Sequence, residues 1–247
     1  MTAAVILGAA ALPVIAQRAP APSPTGLTPE VLALACAPSL VFEAPPMPIR
    51  LTGGQDSAPR WGFAPGDLVT INAGTDNGIE VGQEYYVRRV RASERRAVSR
   101  DNPATIRTAG WIRIYAVDKR LSLATVTHAC DSLEVDDYLE PFVLPQVTIP
   151  VITNVPAQRS NYGRVLIGND GRRNFGRGDY FVVNRGSDHG ISKGDQFVIY
   201  RDKDQTDNFL FEIGEAFAVD VRPEMSTVQV TLSRDGIKEG DFVALRR

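Results

Sequence analysis

A chain of 247 residues, 43% apolar and 23% charged, lies in the globular range, has length enough for one or two ordinary domains, and is excluded from the disordered class. With 27 basic against 29 acidic residues it lacks the cationic excess that phosphate-backbone binding requires, so no nucleic acid partner is expected.

Residues 2–16 (TAAVILGAAALPVIA) are uncharged and apolar and end on Val14, Ile15 and Ala16. That small-x-small ending is one signal peptidase accepts, so residues 1–16 read as a signal peptide cleaved after Ala16. The basic residue that usually opens such a signal is absent. The run falls short of the roughly 20 residues that span a bilayer, so no transmembrane segment is expected in the mature form, a retained anchor being the alternative. Residues 17–48 form a Pro-rich tether followed by a short helix. The stretch QRAPAPSPTGLT cannot pack a core and reads as spacer. Thr28, Pro29 and Glu30 ahead of VLALA supply an N-cap, a proline at the first helical position and an acidic first turn, predicting a helix over 28–35 that delivers Cys36.

Beyond residue 49 the chain repeats itself. Residues 66–90 (GDLVTINAGTDNGIEVGQEYYVRRV) and 178–202 (GDYFVVNRGSDHGISKGDQFVIYRD) align without a gap and share G-D-x4-N-x-G-x-D-x-G-I-x2-G. Further matches pair 116–118 with 218–220, 133–139 with 237–243, and 50–53 with 165–168. In the motif, Asn72, Gly74, Asp76 and Gly78, with Asn184, Gly186, Asp188 and Gly190 in the second copy, are types that tolerate positive φ or cap turns; Gly82 and Gly194 permit a second bend. Ile79 would plug the core after the turn. Strands are predicted at 68–71, 85–90, 110–117 and 122–129, and again at 180–184, 196–201, 211–221 and 227–232. Trp111, Arg113 and Tyr115 should share one face of their strand, and Ile112, Ile114 and Ala116 the other. The expected fold class is all-β: two tandem small β-barrel or sandwich modules, 49–142 and 163–247. The Pro-rich linker 143–162 between them is semi-stiff or an edge strand.

The glycine motif, the strand after it, and the closing pattern from Leu133 to Tyr138 and from Ile237 to Phe242 resemble the C-terminal domain family of flagellar assembly protein T. They are also similar to β-modules that accompany LysM domains in bacterial envelope proteins. The resemblance covers most of 49–142 and 163–247, in two copies, and implies periplasmic or surface scaffolding without catalysis. The chain has no LysM segment and none of the flagellar protein's other domains.

Two cysteines, Cys36 and Cys130, fit an oxidising compartment and are expected to pair, two free thiols being the alternative. The bond would close a loop of roughly 100 residues, worth about 4 to 5 kcal/mol on the chain-entropy estimate. Lipidation of Cys36 is disfavoured by its distance from the apolar run. His128 lies two residues from Cys130 and could share its strand face, but with Cys130 bonded no metal site is expected. His189 stands in the repeat turn where the first copy has Asn77, which points to conformation rather than catalysis. Asp67, Asp76, Asp179 and Asp188 do not fit an EF-hand spacing and read as turn caps. Arg88, Arg89, Arg91, Arg95 and Arg96 form the densest basic cluster and are candidates for binding an anionic wall polymer or lipid headgroups, against a plain solvated hairpin.

No catalytic residues, cofactor or metal are assigned. The expected function is that of a non-enzymatic exported protein, in the periplasm or at the cell surface, acting as an interaction or scaffolding module with envelope proteins or cell-wall polymer as partners. Its oligomeric state is left open. The alternatives are anionic-surface binding through the Arg-rich hairpin, and a hydrolase whose site is not recognisable from residue spacing.

Overall fold

The computed structural model describes residues 27–56, 60–91, 103–153, 155–157, 160–168, 172, 174–202 and 209–246. The expected signal peptide, the tether up to residue 26, Arg95 and Arg96 lie outside the described residues. No described helix is long and apolar enough to cross a membrane.

The described residues are all-β, with one short α-helix. The first repeat forms β2 (Leu51–Gly54), β3 (Leu68–Ile71), β4 (Glu84–Arg91), β5 (Ala104–Val117), β6 (Ser122–Ala129) and β7 (Tyr138–Pro141). The second forms β8 (Gly163–Gly168), β9 (Tyr180–Val183), β10 (Gln196–Asp202), β11 (Leu210–Val221), β12 (Ser226–Ser233) and β13 (Phe242–Arg246). The second set closes into a barrel in the order β10-β11-β12-β9-β8-β13. The first runs β2-β3-β6-β5-β4-β7, the same order strand for strand, and its ends meet through the bridge between Arg50 and Tyr138. The Leu51 N–H donates to the Asp137 carbonyl there, as Val165 does to Asp241 in the second barrel, both at 2.9 Å. Curvature comes from bulges, between Val87 and Arg88 and twice along β5, with counterparts in β10 and β11.

Each barrel is filled by one face of every strand. Ile112 and Ile114 enter the first core with Val69, Ile71 and Val126, while Arg113 and Tyr115 face solvent. Ile79 and Ile191, each just past its turn, seal corresponding ends of the two cores. Trp111, on the outer face, is nonetheless only 1% exposed, because the N-terminal arm covers it.

That arm consists of α1 (Pro29–Ala35) and β1 (Ser39–Val41). The Thr28 side chain caps the helix by accepting from the Val31 N–H, and Pro29 opens it. One side of the arm packs on the first barrel: Ala35 meets Tyr86 and Trp111, and β1 pairs with the start of β5. The other side packs on the second: Leu34 and Ala37 meet Tyr180, Phe217 and Val219, and Leu40 meets Val182 and Met225. Thr227 and Arg222 donate to the carbonyls of Pro38 and Leu40. The arm is thus a wedge shared by both barrels. Cys36 and Cys130 are disulfide-bonded, which ties the wedge to the first of them.

Among its described residues, the linker after β7 forms no regular strand. It lies against the second barrel through Val151 N–H to the Gly194 carbonyl and Thr148 Oγ1 to the Val219 carbonyl. Its prolines withhold the N–H groups a ladder needs.

Two of the sequence matches need correction. Arg50 and Arg164 occupy the same place, each donating its backbone N–H to the motif asparagine and a guanidinium N–H to a carbonyl, of Asp136 and Gly240 respectively. The upstream match of 50–53 to 165–168 is therefore one residue out, and the bulge between Leu51 and Gly53, matched by one between Val165 and Ile167, fixes the corrected register. Likewise Asp118, whose carbonyl accepts from Thr75, corresponds to Arg222, whose carbonyl accepts from Ser187. The Ala-Val-Asp match at 116–118 and 218–220 is a coincidence two residues out, and a bulge between Ile114 and Ala116 puts the matched residues on opposite faces: Ala116 is exposed while Ala218 lies in the second core.

Candidate functional site

The repeated motif is a turn built by its asparagines, its glycines, and Asp67 and Asp179. Asn72 and Asn184 do not take positive φ; each accepts the N–H of Arg50 or Arg164, at 2.7 and 2.6 Å, and so pins the preceding strand. Asp67 and Asp179 accept the N–H groups of Ala64 and Gly176 three residues back. Asp76 and Asp188, expected as turn caps, instead stand in the middle of the 3-10 segments Thr75–Asn77 and Ser187–His189 with exposed side chains, and contribute only backbone N–H groups, which donate to the carbonyls of Lys119 and Pro223. Positive φ falls on Gly78 and Gly82, and on Gly190 and Gly194. Gly74 and Gly186 are extended, and their requirement is space. A Cβ on Gly74 would stand 2.0 Å from the Asp118 carbonyl oxygen, and on Gly186 2.1 Å from that of Arg222.

This distinction is testable in the first barrel, which holds both tryptophans, Trp61 and Trp111. Gly74→Ala forces backbone apart and is expected to cost about 3 kcal/mol by overpacking, whereas Gly78→Ala, with φ of +75° and open space around it, costs about 1 kcal/mol of left-handed strain. Urea unfolding followed by tryptophan fluorescence ranks the two, and equal losses would refute the close-approach reading.

His189 does what Asn77 does. Its Nδ1 accepts the Gly186 N–H at 3.2 Å, as Asn77 Oδ1 accepts that of Gly74 at 3.3 Å. The imidazole serves as a turn cap.

The basic cluster divides. Arg89 is 11% exposed and turns inward, donating through Nε and Nη2 to Asp137 at 2.6 and 2.7 Å and reaching Glu134 at 2.9 Å. Burial pushes the Asp137 carboxyl up, against the pull of Arg89 and of the Glu134 N–H. Arg88 pairs with Glu140 at 3.2 Å and lies over the Tyr86 ring. Neither guanidinium is a free surface group. Arg91, at the end of β4, is exposed. Arg201 repeats the arrangement of Arg89 in the second barrel, donating to Asp241 at 2.9 and 2.7 Å. This doubled Arg–Asp pair was missed in the sequence, although Arg89 and Arg201 align in the repeat and Asp137 and Asp241 are the acids of its closing pattern.

Where the arm meets β6, the ring of His128 stacks on Trp111 at 4.2 Å beside the disulfide. Burial holds its imidazole below the ordinary range. Between the barrels lies a cavity of about 510 Å³. It is lined by the arm, by Tyr86, Arg88 and Glu140, by the linker, and by Lys193, Asp220 and Arg222, whose charges are largely paired with one another.

The Ala64 N–H and Arg60 hold the Asp67 carboxyl below its usual range. A carboxyl depressed on folding contributes stability that is full above its unfolded pKa and is lost as pH falls through the folded value. The melting-temperature gap between wild type and Asp67→Asn is therefore expected to be full near about pH 6 and to narrow as pH falls below the unfolded carboxyl value of about 4.

Compared with known proteins, the chain matches no family model and no curated protein.

Proposed function

We propose that the chain is a non-catalytic scaffold of the bacterial-type cell envelope, exported to the periplasm or cell surface, in which a duplicated β-barrel presents binding surfaces to other envelope proteins. The observation that carries this reading is the arm. Clipped to one barrel by Cys36–Cys130 and packed on both, it makes a single body out of two modules, as suits a protein that holds partners at a fixed spacing. A disulfide also fits export to an oxidising compartment. The resemblance of each module to the flagellar assembly protein T domain points the same way.

The test is to fractionate cells carrying the chain, label free thiols without reduction, and photo-cross-link from exposed sites on each barrel. Blocked cysteines in the envelope fraction and defined protein adducts are expected. Free thiols in the cytosolic fraction would overturn the proposal. Binding of wall polymer through the Arg-rich loop is the second reading, and it rests on Arg91, Arg95 and Arg96, because Arg88 and Arg89 are engaged within the barrel. Changing those three to Ser should release the protein from sedimented peptidoglycan or anionic vesicles, and undiminished sedimentation removes that reading.

A further inference from the structure

Cys36, His128 and Cys130 come together where α1 meets the first barrel, with their sulfur and ring-nitrogen atoms all within 4.8 Å of one another. The three arrive by different routes. His128, within β6, and Cys130, one residue past its end, are two apart and so project to one side. Cys36 is the C-cap of α1, brought from 94 residues away. All three are half-buried, so the point is reachable from solvent. The His128 ring is held in place by Trp111, and its nitrogens have no hydrogen-bond partner among the described residues.

We propose that reduction of the Cys36–Cys130 bond turns this point into a zinc site with a Cys2His ligand set. Thiolate and imidazole are the ligands zinc prefers, and the structure supplies three of them converging, with a fourth position left to water. The steps balance. A dithiol reductant, of the class used by thiol–disulfide oxidoreductases, delivers two electrons and two protons to the S–S bond and is itself oxidised to a disulfide. Zinc then displaces the two thiol protons to solvent and takes a lone pair from the neutral imidazole. The arm stays tied to the first barrel in either state, by a covalent bond when oxidised and by the ion when reduced.

The probe is cobalt(II), which reports thiolate ligands by charge-transfer absorption in the near ultraviolet and tetrahedral geometry in the visible, followed by competition with zinc(II). The full chain is reduced, freed of reductant under anaerobic conditions, and checked for retained β-structure by circular dichroism. One cobalt per reduced chain is expected, with two thiolates bound and displacement by zinc; the oxidised chain should take up none. His128→Ala should keep the disulfide when oxidised, yet bind cobalt more weakly when reduced, by more than the roughly 100-fold that loss of an outer-shell partner costs. Cys36→Ser should halve the charge-transfer band. The proposal is overturned if the folded, reduced chain binds no cobalt, if the oxidised chain binds it equally well, or if His128→Ala leaves the affinity unchanged.

Discussion

Replacing both Cys36 and Cys130 with serine is expected to lower the unfolding free energy by about 4 to 5 kcal/mol, the chain-entropy value for a loop near 100 residues. The bond joins residues separated by 94 positions, so the denatured chain loses a large closure constraint when it goes. The loss should be felt first in the arm. Without the bond, the wedge is held on the first barrel by β1 pairing and by the packing of Ala35 on Tyr86 and Trp111, and on the second by small apolar clusters. Urea unfolding of the double variant measures the energy, and limited proteolysis between residues 42 and 49 measures release of the arm. A loss under about 1 kcal/mol would mean that packing alone fixes the wedge, far from the entropic value.

Asp137→Ala is expected to cost about 3 to 5 kcal/mol, the penalty for leaving one member of a buried ion pair without its counter-charge. The Asp137 side chain is 2% exposed and accepts from Arg89 Nε, Arg89 Nη2 and the Glu134 N–H. Its removal strands a guanidinium whose other ionic partner, Glu134, is 45% exposed and too well hydrated to compensate. Arg89→Met combined with Asp137→Leu should cost much less than the two single changes added together, because the double change strands no charge. Fluorescence-detected urea unfolding of the three variants closes the cycle; additive losses would show that the pair is not an energetic unit. Asp241 with Arg201 predicts the same outcome in the second barrel.

The repeat was legible because turns write themselves into sequence. Gly78, Gly82, Gly190 and Gly194 carry the positive φ values that bends of this kind require, and Ile79 and Ile191 mark where each core resumes. The all-β class and the helix over Pro29–Ala35 also followed from local chemistry, and the Cys36–Cys130 pairing from the even cysteine count. Harder to read were features that depend on through-space approach. Gly74 and Gly186 look like φ residues and are instead contact residues against the next hairpin. Arg89 looks like a surface cation beside its neighbours, but β4 runs next to β7 and brings Asp137 beneath it. The trio of Cys36, His128 and Cys130 could not be assembled by spacing, since one member comes from an arm whose docking no periodicity encodes. The ungapped match ends after β4, because the connection from Arg91 to Ala104 is longer than its counterpart from Asp202 to Leu210.

The wedge also bears on the order of folding. Its contacts with the second barrel include hydrogen bonds from Arg222 to Leu40 and from Thr227 to Pro38, which span 182 and 189 residues. The arm precedes both barrels in the chain, and its binding surface is therefore complete only once the second has formed. The barrels' antiparallel neighbours pair over much shorter loops and gain contacts before such distant closure is rewarded. Refolding should accordingly show a fast phase for barrel formation and a slower one for seating the arm, the slower one visible as a change at Trp111, because Trp61 is 91% exposed.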